Sequence, residues 1–120
     1  MGSIKGLGPF LKSELIFKEE DYGKPINERL SQVLRRNTSK NDFANIAIQS
    51  NVSFSTIRDV VYRTNSLTKL NANAISLLVH AAFENSFAYK LQAEGDILYL
   101  GNLLKLWSIW MLGHIAKKRA

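Results

Sequence analysis

The segment that most restricts the fold is residues 42–63, DFANIAIQSNVSFSTIRDVVYR. Its residues are spaced as in two short helices joined by a tight turn. Ala47 supplies a small side chain where two crossing helices approach each other, and Asn51 tolerates the positive φ that ends the first helix. Ser53 is a good N-cap for the second helix. The segment therefore predicts a helical pair whose second member has one apolar face and one polar face.

Helical patterns on either side of this pair predict a bundle. A helix beginning near Pro25 is indicated by an apolar stripe, and a capping box of Ser39 and Asp42 indicates the start of the next helix. A later stripe indicates a helix that closes a four- or five-helix core. The two stripes are Ile26, Leu30, Val33 and Leu34, and then Ile75, Leu78, Val79 and Ala82. The predicted class is all-α: a small helical bundle that contains a helix-turn-helix, with an additional apolar C-terminal helix.

From Ile26 to Asn85 the chain resembles the phage-repressor and Cro-like helix-turn-helix family. The resemblance rests on INERLSQVLRRN, SKNDFANIAIQSN, VSFSTIRDVVYRT and NANAISLLVHAAFEN, which follow the family's order of helices. Asn51 stands where the family commonly has glycine, and Ser50 stands at a position that is normally apolar. The resemblance implies a sequence-specific DNA-binding protein, a small transcriptional regulator that reads the major groove with helix 54–64.

The polar face of that predicted helix supplies the candidate DNA contacts. Ile57, Val60 and Val61 form its inward set. Early outward positions enter the groove first and are candidates for base edges, Arg58 suits guanine or phosphate, and later positions suit the backbone. Asp59 accepts from cytosine or pairs with Arg63 four residues on, and the pairing is favoured. Phe54 packs on the thymine methyl side of the groove, which is favoured, or folds back on the preceding helix. The candidates are Lys40, Asn41, Ser53, Ser55, Thr56, Arg58, Asp59, Tyr62 and Arg63.

The charge of the chain agrees with a polyanionic partner. The 120 residues carry a net charge of +6, with 46% hydrophobic and 22% charged residues, which is ordinary globular composition. Between Asn27 and Leu70 seven basic residues face three acidic ones, so much of the excess lies on the predicted DNA-binding domain. The absence of cysteine excludes disulfides and thiolate catalysis. With no signal peptide visible in residues 1–17, the expected location is cytoplasmic.

The two ends of the chain are predicted to lie outside the DNA-binding domain, which spans residues 25–88. Residues 1–24 form an N-terminal arm that is either a mobile terminus, the favoured reading, or a segment reaching along DNA. Residues 89–120 form an apolar C-terminal helix. Within it, Ile97–Ala116 has nearly the length of a membrane span, but Lys105 opposes insertion. Dimerisation or core packing is therefore favoured over membrane association.

No catalytic pattern is present in the sequence. It holds no paired carboxylates, no nucleophile beside a base and no glycine-rich phosphate loop, and His80 has no partner at metal-ligand spacing. The sequence predicts a non-enzymatic protein without a metal or cofactor, whose partners are double-stranded DNA and a second copy of the chain. The alternative is an interaction or membrane-peripheral protein anchored by the apolar C-terminal helix.

Overall fold

The computed structural model describes residues 16–105, and α-helices account for most of that range. After a 3-10 turn at Glu19–Asp21, the helices are α1 (Glu28–Asn37), α2 (Lys40–Ser50), α3 (Phe54–Val61) and α4 (Ala72–Leu104). No β-strand occurs between residues 16 and 105. The predicted all-α class and small helical bundle are confirmed.

Helix α1 begins at Glu28, later than the pattern around Pro25 predicts, because Asn27 caps it. The Asn27 side chain accepts a hydrogen bond from the Leu30 N–H at 2.7 Å. This bond satisfies one of the N–H groups that lack a partner in the first turn of a helix. The start of α1 is therefore fixed by a side-chain cap rather than by the proline before it.

The short connection between α1 and α2 is held by the predicted capping box and by Asn85. The Ser39 side chain accepts from the Asp42 N–H, and the Asp42 carboxylate accepts from the Ser39 N–H at 2.9 Å. The Asn85 amide on α4 donates to the Asn37 carbonyl at 2.9 Å and to the Asp42 carboxylate at 3.2 Å. One amide thus joins the end of α1 and the start of α2 to α4.

Residues of both predicted apolar stripes lie in the core or pack against it. Leu30, Ala47, Val52 and Val79 pack against it from partly buried positions, and Val33 is half-buried. Ser31 lies beside these apolar residues, and its hydroxyl donates to the Val61 carbonyl at 2.6 Å. The buried apolar residues are Ile26, Leu34, Phe43, Ile46, Ile57, Val60, Val61, Leu67, Ala72, Ala74, Ile75, Leu78 and Ala82.

The described part of the predicted N-terminal arm, residues 16–24, is packed against the domain. The Gly23 N–H donates to the Leu67 carbonyl at 2.8 Å, and the Leu67 N–H donates to the Lys24 carbonyl at 3.0 Å. Phe17 and Tyr22 lie against the core. This segment is therefore part of the folded domain, whereas residues 1–15 lie outside the described range.

An ion pair also fastens this segment. The Lys69 ammonium lies 3.0 Å from the Glu19 carboxylate. The hydrogen bond to Glu19, and then the charge of Glu19, raise the pKa of Lys69 above its usual range. Lys69, one of the seven basic residues counted in the predicted DNA-binding domain, is thus partly neutralised by its neighbour.

The chain divides between Ser86 and Phe87 into two units. Residues 16–86 of the first unit hold α1, α2, α3 and the beginning of α4, and residues 87–105 of the second hold the end of α4. Glu94-Gly95-Asp96 does not interrupt α4, so residues 89–104 of the predicted C-terminal helix continue an existing helix. Residues 106–120 lie outside the described range. Between residues 16 and 105, no helix has the length and apolar character needed to cross a membrane.

Candidate nucleic-acid interface

The turn between α2 and α3 has the backbone geometry that the sequence predicts. Asn51 ends α2 in the left-handed region, at φ 58° and ψ 34°. The Ser53 hydroxyl accepts from the Thr56 N–H at 3.1 Å and caps α3. Three residues therefore connect the two helices, and each of the two predicted turn residues plays its expected local part.

Helix α3 has the predicted division into a buried face and an accessible face. Ile57, Val60 and Val61 have no exposed surface. On the other side Ser55 and Arg58 are exposed, and Thr56 is half-buried. The predicted base-reading side chains therefore do not lie beneath other parts of the molecule.

Ser53 is engaged within the protein. Its hydroxyl donates to the Thr56 hydroxyl at 2.8 Å while it accepts the capping N–H, and the Ser55 hydroxyl lies 3.3 Å away. A hydroxyl has one donor and two acceptor positions. The role that the geometry assigns to Ser53 is thus to order the first turn of α3, which positions Ser55 and Thr56.

Arg58 pairs with the adjacent carboxylate. Its Nε and one terminal nitrogen lie 3.2 and 3.1 Å from the same oxygen of Asp59. The side chains of Arg58 and Asp59 are 52% and 41% exposed, so this is a surface ion pair of the kind that contributes about 0–1 kcal/mol. The pairing predicted between Asp59 and Arg63 is wrong.

The reason for this error is that α3 ends at Val61 rather than near residue 64. Arg63 adopts a left-handed conformation with φ 65°. The Arg63 N–H donates to the Val60 carbonyl, and the Thr64 N–H donates to the Asp59 carbonyl at 2.9 Å, the bond pattern of a Schellman C-cap. Arg63 is therefore beyond the helix and does not share a helical face with Asp59.

The side chain of Arg63 fastens the end of α3 to the start of α1. Its Nε donates to the Ile26 carbonyl at 2.6 Å, and a terminal nitrogen lies 3.1 Å from the Glu28 carboxylate. These partners occupy the guanidinium that the sequence assigns to the DNA backbone. The geometry supports a structural part for Arg63.

An open cleft lies beside the accessible face of α3. We call it the α2–α3 cleft; its volume is about 330 Å³. The Phe43 and Phe54 rings lie 5.7 Å apart at an interplanar angle of 59°, so Phe54 folds back on α2. The cleft is lined by Lys40, Phe43, Phe54, Arg58, Asp59, Tyr62 and Thr64.

Lys40 and Asn41 occupy the first turn of α2, and both are exposed. Lys40 reaches the α2–α3 cleft and has no carboxylate partner among residues 16–105. The structure thus brings four of the predicted contacts to one cleft: Lys40, Arg58, Asp59 and Tyr62. Asn41 lies on the same turn but does not line it.

Arg35 is a residue that sequence reasoning did not place in the site. Its guanidinium carbon lies 5.2 Å from the centre of the Tyr62 ring, within the range of a cation–π contact. Arg35 and Tyr62 are distant in the sequence, and no local spacing signals their contact. Only the packing of α1 against the end of α3 reveals it.

No candidate metal-binding cluster accompanies the cleft within residues 16–105. Residues 16–105 contain no group of three or more histidine, aspartate or glutamate side chains placed to hold a metal ion. His80 on α4 is half-buried. The chemistry that the cleft offers is that of cations, hydroxyl groups and aromatic surface.

Comparison with known proteins adds no assignment to these observations. No family model, no curated protein and no solved structure matches the chain.

Proposed function

We propose that the protein binds double-stranded DNA and that the accessible face of α3 reads the major groove. The observation that carries this proposal is the division of α3 into a fully buried apolar face and an accessible face bearing Ser55, Thr56 and Arg58. A recognition helix needs this division, together with a tight turn that holds it against the preceding helix. On this proposal α2, the turn and α3 form a helix-turn-helix, and the protein is a small transcriptional regulator.

The side chains have different tasks in this complex. Ser55 and Thr56 lie in the first turn of α3, where hydroxyl groups reach base edges, and Arg58 can bind guanine O6 and N7 with two hydrogen bonds. Arg58 then exchanges its bond to Asp59 for one to DNA, which costs little because the pair is exposed to solvent. Lys40 and Asn41, at the start of α2, contact phosphate.

Selection of bound duplexes from a random pool, followed by affinity measurements, tests the proposal. Arg58→Ala is expected to lower the discrimination at one base pair of the selected site by about 1–3 kcal/mol. Arg29→Ala is the matched control, because Arg29 is an exposed arginine on α1 that does not line the α2–α3 cleft. Failure of the unaltered protein to retain any duplex at about 50 mM salt, where phosphate contacts are strong, would reject the proposal.

The proposed function includes a homodimer formed through the predicted apolar segment Ile97–Ala116, of which the structure describes residues 97–105, and through the residues before it. The apolar side chains at 89, 91, 97, 99, 100, 103 and 104 are each between 51% and 64% exposed. Large apolar side chains exposed in this number along one helix are typical of an interaction site. A dimer would also let two copies of α3 read paired half-sites.

The charge of the described residues 87–105, taken alone, favours a second copy over an anionic membrane surface as the partner. Residues 87–105 hold Lys90, Glu94, Asp96 and Lys105, so their net charge is zero. Helices that lie on membranes are usually rich in lysine and arginine on the polar face. The exposed apolar surface itself is also compatible with the membrane-peripheral alternative. Flotation of the protein with anionic vesicles, together with an absence of DNA binding, would support that alternative.

A further inference from the structure

Arg35 presents a positive charge beside the α2–α3 cleft. It lies in the last turn of α1 and is exposed, and no carboxylate pairs with it among residues 16–105. The Tyr62 ring, 51% exposed, lies under its guanidinium. Both side chains are therefore accessible to a partner while they are in contact with each other.

The contact with Tyr62 holds the guanidinium beside the ring, 5.2 Å from its centre, and Arg35 donates no side-chain hydrogen bond to another residue within 16–105. A guanidinium carries five N–H donors in its plane. The donors of Arg35 thus remain available, and the ring reduces the conformational freedom that binding would otherwise remove. Planar, oriented N–H pairs of this kind are suited to phosphate oxygens.

Cations from three helices meet around this cleft. Lys40 of α2 and Arg58 of α3 line it, and Arg35 of α1 reaches Tyr62, which also lines it. The only carboxylate in the lining is that of Asp59, which is paired with Arg58. Of the three cations around the cleft, Arg35 and Lys40 are therefore the two that pair with no carboxylate within residues 16–105.

We infer that Arg35 and Lys40 bind the phosphates of the DNA strand that runs beside α3, and that Tyr62 positions Arg35 for this contact. The inference rests on the proposed function and extends the interface from α2 and α3 to the end of α1. Base reading is then carried out by the accessible face of α3, including Arg58, and Arg35 of α1 and Lys40 of α2 contact the sugar–phosphate backbone.

The test measures affinity for the selected duplex against salt concentration for Arg35→Ala and Arg29→Ala. These variants remove the same charge from the same helix, but only the first changes the cleft. Each neutralised phosphate contributes about 0.9 to the slope of log affinity against log salt. Arg35→Ala is expected to lower that slope by about 0.9 and the affinity at 100 mM salt by about tenfold, and Arg29→Ala is expected to leave the slope unchanged.

Variants of Tyr62 test the positioning role. Tyr62→Phe keeps the ring and is expected to bind like the unaltered protein, whereas Tyr62→Leu lowers affinity several-fold while the salt slope stays, because the Arg35 charge remains. In Arg35→Ala the Tyr62→Leu change is expected to have no further effect. Thermal unfolding of each variant reports the fold, and Arg35→Gln, which keeps the length of the side chain, replaces Arg35→Ala should the latter unfold.

The possible failures are distinguishable. Absence of duplex binding by the unaltered protein rejects the proposed function itself. If the unaltered protein binds the duplex and both Arg35→Ala and Arg29→Ala keep its salt slope, the phosphate contact of Arg35 is rejected. The proposed function is not affected by that result. A Tyr62→Leu effect of equal size with and without Arg35 rejects the positioning role.

Discussion

Asn51 and Arg63 each end a helix in a backbone conformation that non-glycine residues rarely adopt. Asn51 has φ 58° at the end of α2, and Arg63 has φ 65° after the end of α3. Asparagine tolerates this region because its short side chain makes local hydrogen bonds. Arginine has no such preference, and its side-chain bonds to Ile26 and Glu28 hold it there.

The first prediction concerns the turn before α3. Asn51→Val is expected to lower the free energy of unfolding by about 1–2 kcal/mol, because a side chain with a Cβ is strained at positive φ and valine is branched there. Asn51→Gly, which lacks the Cβ, is expected to stay within about 1 kcal/mol of the unaltered protein. Urea unfolding measures both, and equal stabilities for the two variants would contradict the role of φ.

The second prediction separates the structural part of Arg63 from DNA binding. Arg63→Ala is expected to destabilise the fold by about 1–2 kcal/mol through the lost hydrogen bonds, an estimate reduced for the exposure of the ion pair. Arg63→Gly loses the same bonds but relieves the strain at positive φ, so it should unfold at a higher urea concentration than Arg63→Ala. For the folded variants the salt slope of DNA binding should equal that of the unaltered protein; a slope lower by about 0.9 would place Arg63 on a phosphate.

At the residue scale, the sequence predicts contacts between residues that are close in the chain and misses contacts between residues that are far apart in it. The cap by Ser53 and the box of Ser39 and Asp42 involve residues three apart, so the local spacing predicts them. The bonds of Arg63 and the contact of Arg35 with Tyr62 join distant parts of the chain. No glycine after α3 marks its C-cap either, and for that reason the end of this helix is predicted too late.

At the scale of the elements, a single buried hydroxyl joins α1 to α3. Ser31 is 2% exposed. Its hydroxyl donates to the carbonyl of Val61, which belongs to the last turn of α3. Carbonyls in the last turn of a helix lack partners within the helix. Ser31 therefore satisfies a buried acceptor and holds the accessible face of α3 in place relative to α1.

The third prediction follows from this bond. Ser31→Ala is expected to lower the free energy of unfolding by about 1–3 kcal/mol, because a buried carbonyl loses its partner. Ser86→Ala is the control: its hydroxyl donates within its own helix, to the Phe83 carbonyl, and the residue is exposed. Chemical denaturation compares the two variants, and a loss for Ser31→Ala no greater than that for Ser86→Ala would contradict the explanation.

The continuity of α4 shows why one element boundary escapes sequence reasoning. The boundary predicted between residues 88 and 89 falls inside α4, which also runs through Gly95. A glycine inside a helix costs only about 1 kcal/mol, no proline follows it, and the residues just before it, 91–94, are good helix formers. Apolar periodicity identifies the presence of helix here but not where one helix stops.

At the scale of the whole molecule, the proposed dimer would determine how many half-sites on DNA one assembly contacts. If the proposal holds, the eight residues of α3 would contact only a short half-site. Two-fold related copies would instead read two half-sites separated by about 34–36 Å, one turn of DNA. A symmetric selected sequence is therefore expected from the random pool.

The fourth prediction tests the dimer in the absence of DNA. Leu100→Glu combined with Leu103→Glu places charges on the exposed apolar surface of α4 and is expected to convert a dimer to a monomer in sedimentation equilibrium. Gln92→Glu adds a charge at a position on the same helix that is already polar and exposed, and should leave the mass unchanged. A monomeric mass for the unaltered full-length chain would contradict the dimer without affecting the proposal for α3.

The pairing of Arg58 with Asp59 has a consequence for how such a protein would search a genome. At an unsuitable base pair the guanidinium has a neighbouring acceptor to return to, so a mismatched site gains little from it. The residual affinity at such a site would come from phosphate neutralisation, which does not depend on the DNA sequence and permits sliding along the duplex. Loss of the Asp59 carboxylate should therefore make the protein slower to leave incorrect sites.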